Sequence, residues 1–183
     1  MLEEGTNERI AFFQDLDVIV EELRRFQVES IPVLWRPFHE AEGDWFWWGS
    51  KGSAISRELY KLMYDYFVTE KHLDHLLWVW NCPTKEGYPG DAYVDVISRD
   101  VYSPAHTVTD YKAEYEELIA NTTSEKVAAL AEVGVIPDMK LLANSKVPWA
   151  YFMTWSKEFC LTEEYNTEKE LANAYASSYA IAL

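Results

Sequence analysis

The chain predicts an α/β fold of the β/α-barrel kind, with parallel strands alternating with helices. Three observations predict it. Five short runs of β-branched and aromatic residues alternate with stretches of helical periodicity. No hairpin turn joins one run to the next, so each strand must return through a crossover helix. The residues able to do chemistry gather at the C-terminal end of each run: His39 and Glu40, Asn81, Asp100 and Tyr102, Glu132, Trp155. That rim is where barrel enzymes carry their sites. A doubly wound nucleotide-binding sheet would instead show a Gly-rich GxGxxG turn after a strand, and none is present.

Residues 7–28 carry Ile10, Phe13, Leu16, Val20, Leu23 and Phe26 at roughly helical spacing with charge between them, which predicts an amphipathic helix. The first strand is expected over Ile31–Glu40, with Pro32 at its start, where a missing N–H is tolerated. Alternation along it puts Leu34, Arg36, Phe38 and Glu40 on one face and Trp35, Pro37 and His39 on the other. The run breaks at Gly43 into Trp45, Trp47 and Trp48. Ser53 stands where it can cap a helix through Leu59, Leu62, Met63, Tyr66 and Phe67. Leu76–Trp80 reads as a buried strand ending at Asn81, followed by a loop with Pro83, Gly87, Pro89 and Gly90. The third strand is expected over Tyr93–Tyr102, after which Thr109 or Asp110 caps a helix through Tyr115, Leu118 and Ile119. The fourth strand covers Val127–Leu130, with Glu132 at its exit, and a short helix follows Pro137. The fifth covers Val147–Thr154, with Trp155 at its exit, and a last helix runs from about Thr167 to the end. One domain over residues 1–183 is expected, a length sufficient for a real core.

The formal charge of −15 argues against nucleic acid as a partner, because phosphates demand Lys and Arg. It also argues against an anionic membrane surface. No apolar stretch is long enough to span a bilayer. The N-terminal MLEEGTNERI is acidic and polar, without the look of a signal peptide. Cys82 and Cys160 make neither a disulfide framework nor a zinc spacing, and whether they pair is open. His72 and His75 read as loop residues, since no carboxylate or Cys completes a metal-binding pattern around them. No metal or cofactor is expected.

A carboxyl at the exit of a buried strand, beside a guanidinium, an imidazole and exposed aromatics, is costly unless it is used or paired. Eight Trp and twelve Tyr are a heavy aromatic load. Together these features point to a flat, hydroxyl-rich substrate, with a sugar polymer as the natural candidate. Cleaving a glycosidic bond needs two carboxyls in different protonation states, one to protonate the leaving oxygen and one to attack the anomeric carbon. Glu40 and Glu132 are the two at strand exits, and Tyr102 and Arg36 can each stabilise an ionised partner.

WRPFHEAEGDWFWWG resembles the acid/base segment of glycoside hydrolase family 26, the β-mannanase family of the retaining (β/α)8-barrel clan. LLWVWN, YPGDAYVDVISRDVY, AALAEVG and PWAYFMTW follow in that family's order and spacing. The resemblance implies that Glu40 is the general acid/base and Glu132 the nucleophile, with retention through a glycosyl-enzyme on Glu132. It sets His39 beside the reaction centre, Tyr102 on the nucleophile and Arg36 in the active centre. It implies sugar contacts from Trp45 and Trp155, and acidic contacts on the acceptor side from Asp95 and Asp100. The implied reaction is endo-hydrolysis of β-1,4-mannan, without a cofactor. The alternatives are cleavage of β-1,3-xylan or of lichenan within the same family, or a non-catalytic carbohydrate-binding fragment resting on Trp45–Trp48.

The family's first motif falls on the fourth barrel strand, so the resemblance implies a partial barrel holding strands four to eight, with the first three missing. A full barrel takes ~250 residues. Three arrangements account for this: truncation, a second chain supplying the strands, or self-association that covers the open edges. Much reduced activity is expected of the isolated chain. Arg99 sits where the family strand is small or apolar, and alternation turns it toward the helices. A polysaccharide substrate implies a secreted or periplasmic enzyme.

Overall fold

The computed structural model describes residues 1–181. The chain divides into two compact units, Met1–Val96 with Thr122–Ser124, and Ile97–Asn121 with Glu125–Leu183.

The first unit opens with α1, Asn7–Val28, whose first turn is capped by the Thr6 side chain accepting from the Arg9 N–H. Its buried stripe is Phe12, Leu16, Val20 and Leu23. Ile10 and Phe26, expected on that stripe, are exposed because they fall off the strict 3.6-residue line. The first strand, β1, is Val33–Trp35, far shorter than the sequence suggests. Pro37 has no N–H for a ladder, and Phe38 and Glu40 adopt left-handed backbone, φ 54° and 52°. The alternation inferred beyond Trp35 therefore fails. β1 pairs in parallel with β2, Leu76–Asn81, in the register Val33↔Leu76 and Trp35↔Trp78.

Between them lies α2, Ser53–Tyr64, which runs into a π-helical turn, Asp65–Glu70. Gly52, not Ser53, is its N-cap, at φ 91°, a conformation that glycine adopts without strain. The rings of Tyr60, Tyr64 and Phe67 lie 5.5, 4.9 and 6.2 Å from the buried Trp78 ring, so α2 and the turn after it cover the Trp78 face of β2.

The third strand is β3, Val96–Val101, shortened at its start because Asp91–Tyr93 forms a 3-10 turn. In the second unit follow α3, Lys112–Ile119; β4, Val127–Val133; α4, Met139–Ser145; β5, Trp149–Thr154; and α5, Glu168–Tyr175. The strand order is the chain order, β1-β2-β3-β4-β5, and β4 pairs in parallel with β5. Tyr111, Leu130 and Val133 form a buried cluster, with Val101, Trp149 and Phe152 packed against it. Neither Thr109 nor Asp110 is the N-cap of α3; Tyr111 is, at φ 55°. Thr109 instead accepts from the Tyr111 N–H at 3.0 Å and Asp110 from the Lys112 N–H at 3.1 Å, so both side chains brace the turn. Arg99 does face the helices, bonded to Glu117 of α3. Thr167 caps α5 through a capping box. This helix stops at Tyr175, short of the expected tail, whose last two residues, 182–183, lie outside the described residues. Cys82 and Cys160 are free thiols. Among the described residues no helix is long and apolar enough to cross a membrane.

Candidate active site

Each unit carries a carboxyl held by an aromatic hydrogen-bond donor. In the first, the chain leaves β1 and turns through residues 37–42. Glu40 sits there in left-handed backbone at φ 52°, a conformation that costs a non-glycine residue about 1–2 kcal/mol and must be held by its surroundings. The buried Asn81, at the end of β2, supplies the hold: its side-chain oxygen accepts the Glu40 N–H at 2.8 Å. The Glu40 side chain is held separately, by the Trp45 indole N–H donating to Oε2 at 2.7 Å.

The loop that follows is packed by its own rings. Phe46 and Trp48 stack at 4.4 Å, and the His39 ring lies 4.7 Å from Phe46. Trp48 donates its indole N–H to the His39 carbonyl at 2.7 Å. Trp45 and Trp47 remain exposed, at 61% and 53%. The aromatic run is thus part internal packing and part open surface. Arg36, just past β1, is half-buried. Behind the turn, Pro37, Phe38, Ala41, Tyr60, Asn81 and Cys82 enclose about 10 Å³, room for a single water at most. This space cannot receive a sugar.

In the second unit, β4 runs through Glu132 to Val133, so Glu132 lies inside the strand and not past its exit. Its carboxyl is buried, and the Tyr102 hydroxyl donates to Oε2 at 2.7 Å. A buried carboxylate is tolerable only with such a partner. Tyr102 follows β3 directly, and its ring lies 5.3 Å from Phe159. Gly134 donates its N–H to the Val101 carbonyl, and Trp155 donates its own to the Val133 carbonyl, both at 3.0 Å. These bonds hold the ends of β3, β4 and β5 together. Trp155 itself is 44% exposed. The buried Asn166 accepts from the Ile136 N–H and donates to the Gly134 and Phe159 carbonyls, each at 2.8 Å. Asp100, next to last in β3, is half-buried.

Asp95 is the expected site residue that the structure sets apart. It precedes β3, its carboxylate accepts the Trp78 N–H at 2.8 Å, and its own N–H donates to the Trp78 carbonyl. A residue at the entry of a parallel strand cannot share the exit rim.

Sequence reasoning noticed Asn81 only as a strand-end residue and passed over Asn166. A buried Asn is costly unless its amide is bonded, but nothing in the sequence names the backbone groups that it serves. Chemically, each unit offers a fixed carboxyl next to an exposed aromatic ring.

The model of glycosyl hydrolase family 26 matches residues 2–183. A mannan endo-1,4-beta-mannosidase of Thermothelomyces thermophilus is 39% identical over 93% of this chain, which covers 35% of that relative. Mannan endo-1,4-beta-mannosidase A of Piromyces sp is 35% identical over 92% of the chain, which covers 27% of it. The chain thus spans about a third of the length of the curated relatives that it matches. Among solved structures, the GH26-CBM35 beta-(1,4)-mannanase of Podospora anserina aligns with a TM-score of 0.89 at 37% identity, over 97% of this chain and 39% of that one. A beta-mannanase from a symbiotic protist of the termite Reticulitermes speratus, complexed with gluco-manno-oligosaccharide, aligns at 0.90 and 34% identity, over 98% and 56%. The fold is that of a partial (β/α)8 barrel.

Proposed function

Because this chain belongs to glycosyl hydrolase family 26, we propose that it carries the catalytic pair of a retaining endo-β-1,4-mannanase. Glu40 is the acid/base and Glu132 the nucleophile. In the first step the Glu132 carboxylate attacks the anomeric carbon, while Glu40 gives its proton to the departing glycosidic oxygen. In the second, Glu40 takes a proton from water, the water oxygen attacks the same carbon, and the ester to Glu132 breaks. Tyr102 holds the nucleophile. Arg36 and His39 support the acid/base side. Trp45 and Trp155 offer ring faces to pyranose rings, and Asp100 offers a carboxylate to sugar hydroxyls.

The observation that carries this reading is the buried Glu132 carboxyl with a tyrosine hydroxyl 2.7 Å from its Oε2. A solvated surface acid needs no such donor. The relatives' names support mannan as substrate, and a polymer of that size implies action outside the cell.

The activity proposed is that of the whole site, whether this chain makes it alone, with a second copy or with further polypeptide. The test is mannan hydrolysis by a fraction whose mass is measured by light scattering. Glu40→Gln and Glu132→Gln should each lower the rate by about 10³-fold or more. A 2-deoxy-2-fluoro-mannosyl inhibitor should label the protein at Glu132. Cleavage of lichenan or β-1,3-xylan with mannan untouched would overturn the substrate. Polysaccharide binding that survives both Gln variants, with no wild-type cleavage of any of the three, would overturn catalysis in favour of a binding fragment.

A further inference from the structure

Gly43 and Trp45 share a tight space. A Cβ built on Gly43 would stand 2.1 Å from the Trp45 ring atoms Cη2 and Cζ3 and 2.4 Å from Cε3. The indole therefore lies flat against the glycine, where any side chain would be. Gly43 carries no positive φ, so close approach, not backbone freedom, is what calls for glycine here. From that seat the indole N–H reaches Glu40 Oε2 at 2.7 Å, while the ring stays 61% exposed. Gly43 also donates its N–H to the Glu40 carbonyl at 3.2 Å. One glycine thus touches both the backbone of the carboxyl-bearing residue and the ring that holds the carboxyl.

We propose that Gly43 is a positioning residue for Glu40, its bare Cα being the seat that lets Trp45 fold back and clamp the Glu40 carboxyl. This rests on the reading of Glu40 as acid/base. Holding that carboxyl at one point is worth rate, because proton transfer demands hydrogen-bond distance to the leaving oxygen. The obstructing atoms lie at the far end of an exposed side chain, not in the backbone. A methyl at position 43 therefore evicts the indole into solvent without breaking the loop. The effect falls on the clamp and not on the fold.

The test is ¹H–¹⁵N NMR of the indole N–H signals in the 183-residue chain, with the Trp45 signal assigned by its loss in Trp45→Phe. In the unaltered chain that signal should move on Glu40→Gln. In Gly43→Ala it should sit at the position of a solvent-exposed indole and no longer respond to Glu40→Gln. The thermal midpoint should stay within a few degrees of the parent. Where mannan turnover is measurable, Gly43→Ala and Trp45→Phe should each lower kcat more than they raise KM, by about tenfold, the size of one hydrogen bond to a charged group. The double variant should lose no more than either alone. A Trp45 signal unmoved by Gly43→Ala overturns the seat, whatever the activity. A shifted signal with no mannan cleavage by the parent keeps the seat and overturns only the function assigned to Glu40.

Discussion

Tyr102 and Asn81 act on the two carboxyl residues by different routes. Tyr102 bonds the Glu132 side chain, so Tyr102→Phe keeps the ring against Phe159 and removes only the donor. We expect kcat/KM on mannan to fall by about ten- to a hundredfold, with the thermal midpoint little changed; an unaltered kcat/KM would dissociate Tyr102 from the nucleophile. Asn81 bonds the backbone of Glu40. Asn81→Ala leaves that N–H without its acceptor in a strained turn and should cost about 1–3 kcal/mol in denaturant unfolding. A loss below a few tenths would mean that water replaces the amide. Glu40 and Glu132 could be nominated from the sequence because acidic residues near the ends of apolar runs can be read there, although β1 stops earlier and β4 runs later than those runs suggest. Their holders were legible only in part: Tyr102 was seen as a group able to stabilise a carboxylate and the family resemblance set it on Glu132, while Asn81 was seen without its partner. A hydrogen bond across 41 positions, such as Asn81 to Glu40, leaves no local pattern.

The loop after β1 and the start of α5 show what local patterns settle. At Gly49 an added Cβ would lie 1.9 Å from the Gly43 carbonyl oxygen. Here the obstruction is backbone and cannot swing aside, unlike the ring over Gly43. Gly49→Ala should therefore destabilise the first unit by more than Gly43→Ala does, read as a larger drop in denaturation midpoint; equal drops would refute this ordering. In α5, Thr167 and Glu170 complete a capping box. Thr167→Ala should cost about 1 kcal/mol and Thr167→Ser almost nothing, measured by the same unfolding curves. That box is readable from spacing alone. The length of β1 was not: apolar and aromatic residues continue past Trp35, but Pro37 and two left-handed residues end the strand. Propensity overstates a strand whose end is bent by left-handed residues.

Over the whole chain, stability should depend on pH at both extremes. Burial pushes up the Cys82 thiol and the Tyr60 and Tyr111 hydroxyls. Each holds its proton more tightly folded than unfolded. Their contribution is complete below the unfolded values, about 8.5 for Cys and 10 for Tyr. It is lost as pH rises through the higher folded ones. On the acid side, Asp17 is held low by hydrogen bonds from Lys71 and Tyr66, and Asp91 by hydrogen bonds from Thr123 and Tyr88. Their contribution stands above the unfolded Asp value of about 3.9 and fades as pH falls through the lower folded ones. Asp17 is solvent-exposed and Asp91 half-buried, so the acid limb should be shallow. The thermal midpoint should be flat between about pH 5 and 8 and fall on either side; a midpoint still rising from pH 8 to 10 would contradict the buried thiol and phenols.

By itself the sequence determined the alternation of five strands with helices and the family, and it nominated the two carboxylates, because each is written in residues close along the chain or in motifs kept in order. The tertiary structure alone decided that the Asp95 carboxylate takes the Trp78 N–H, that β1 stops at Trp35, that Asn81 and Asn166 serve backbone groups far along the chain, and that Gly43 gives its bare face to the Trp45 ring. Those outcomes depend on which backbone groups need partners and which surfaces come within contact distance. Only a folded chain sets such distances.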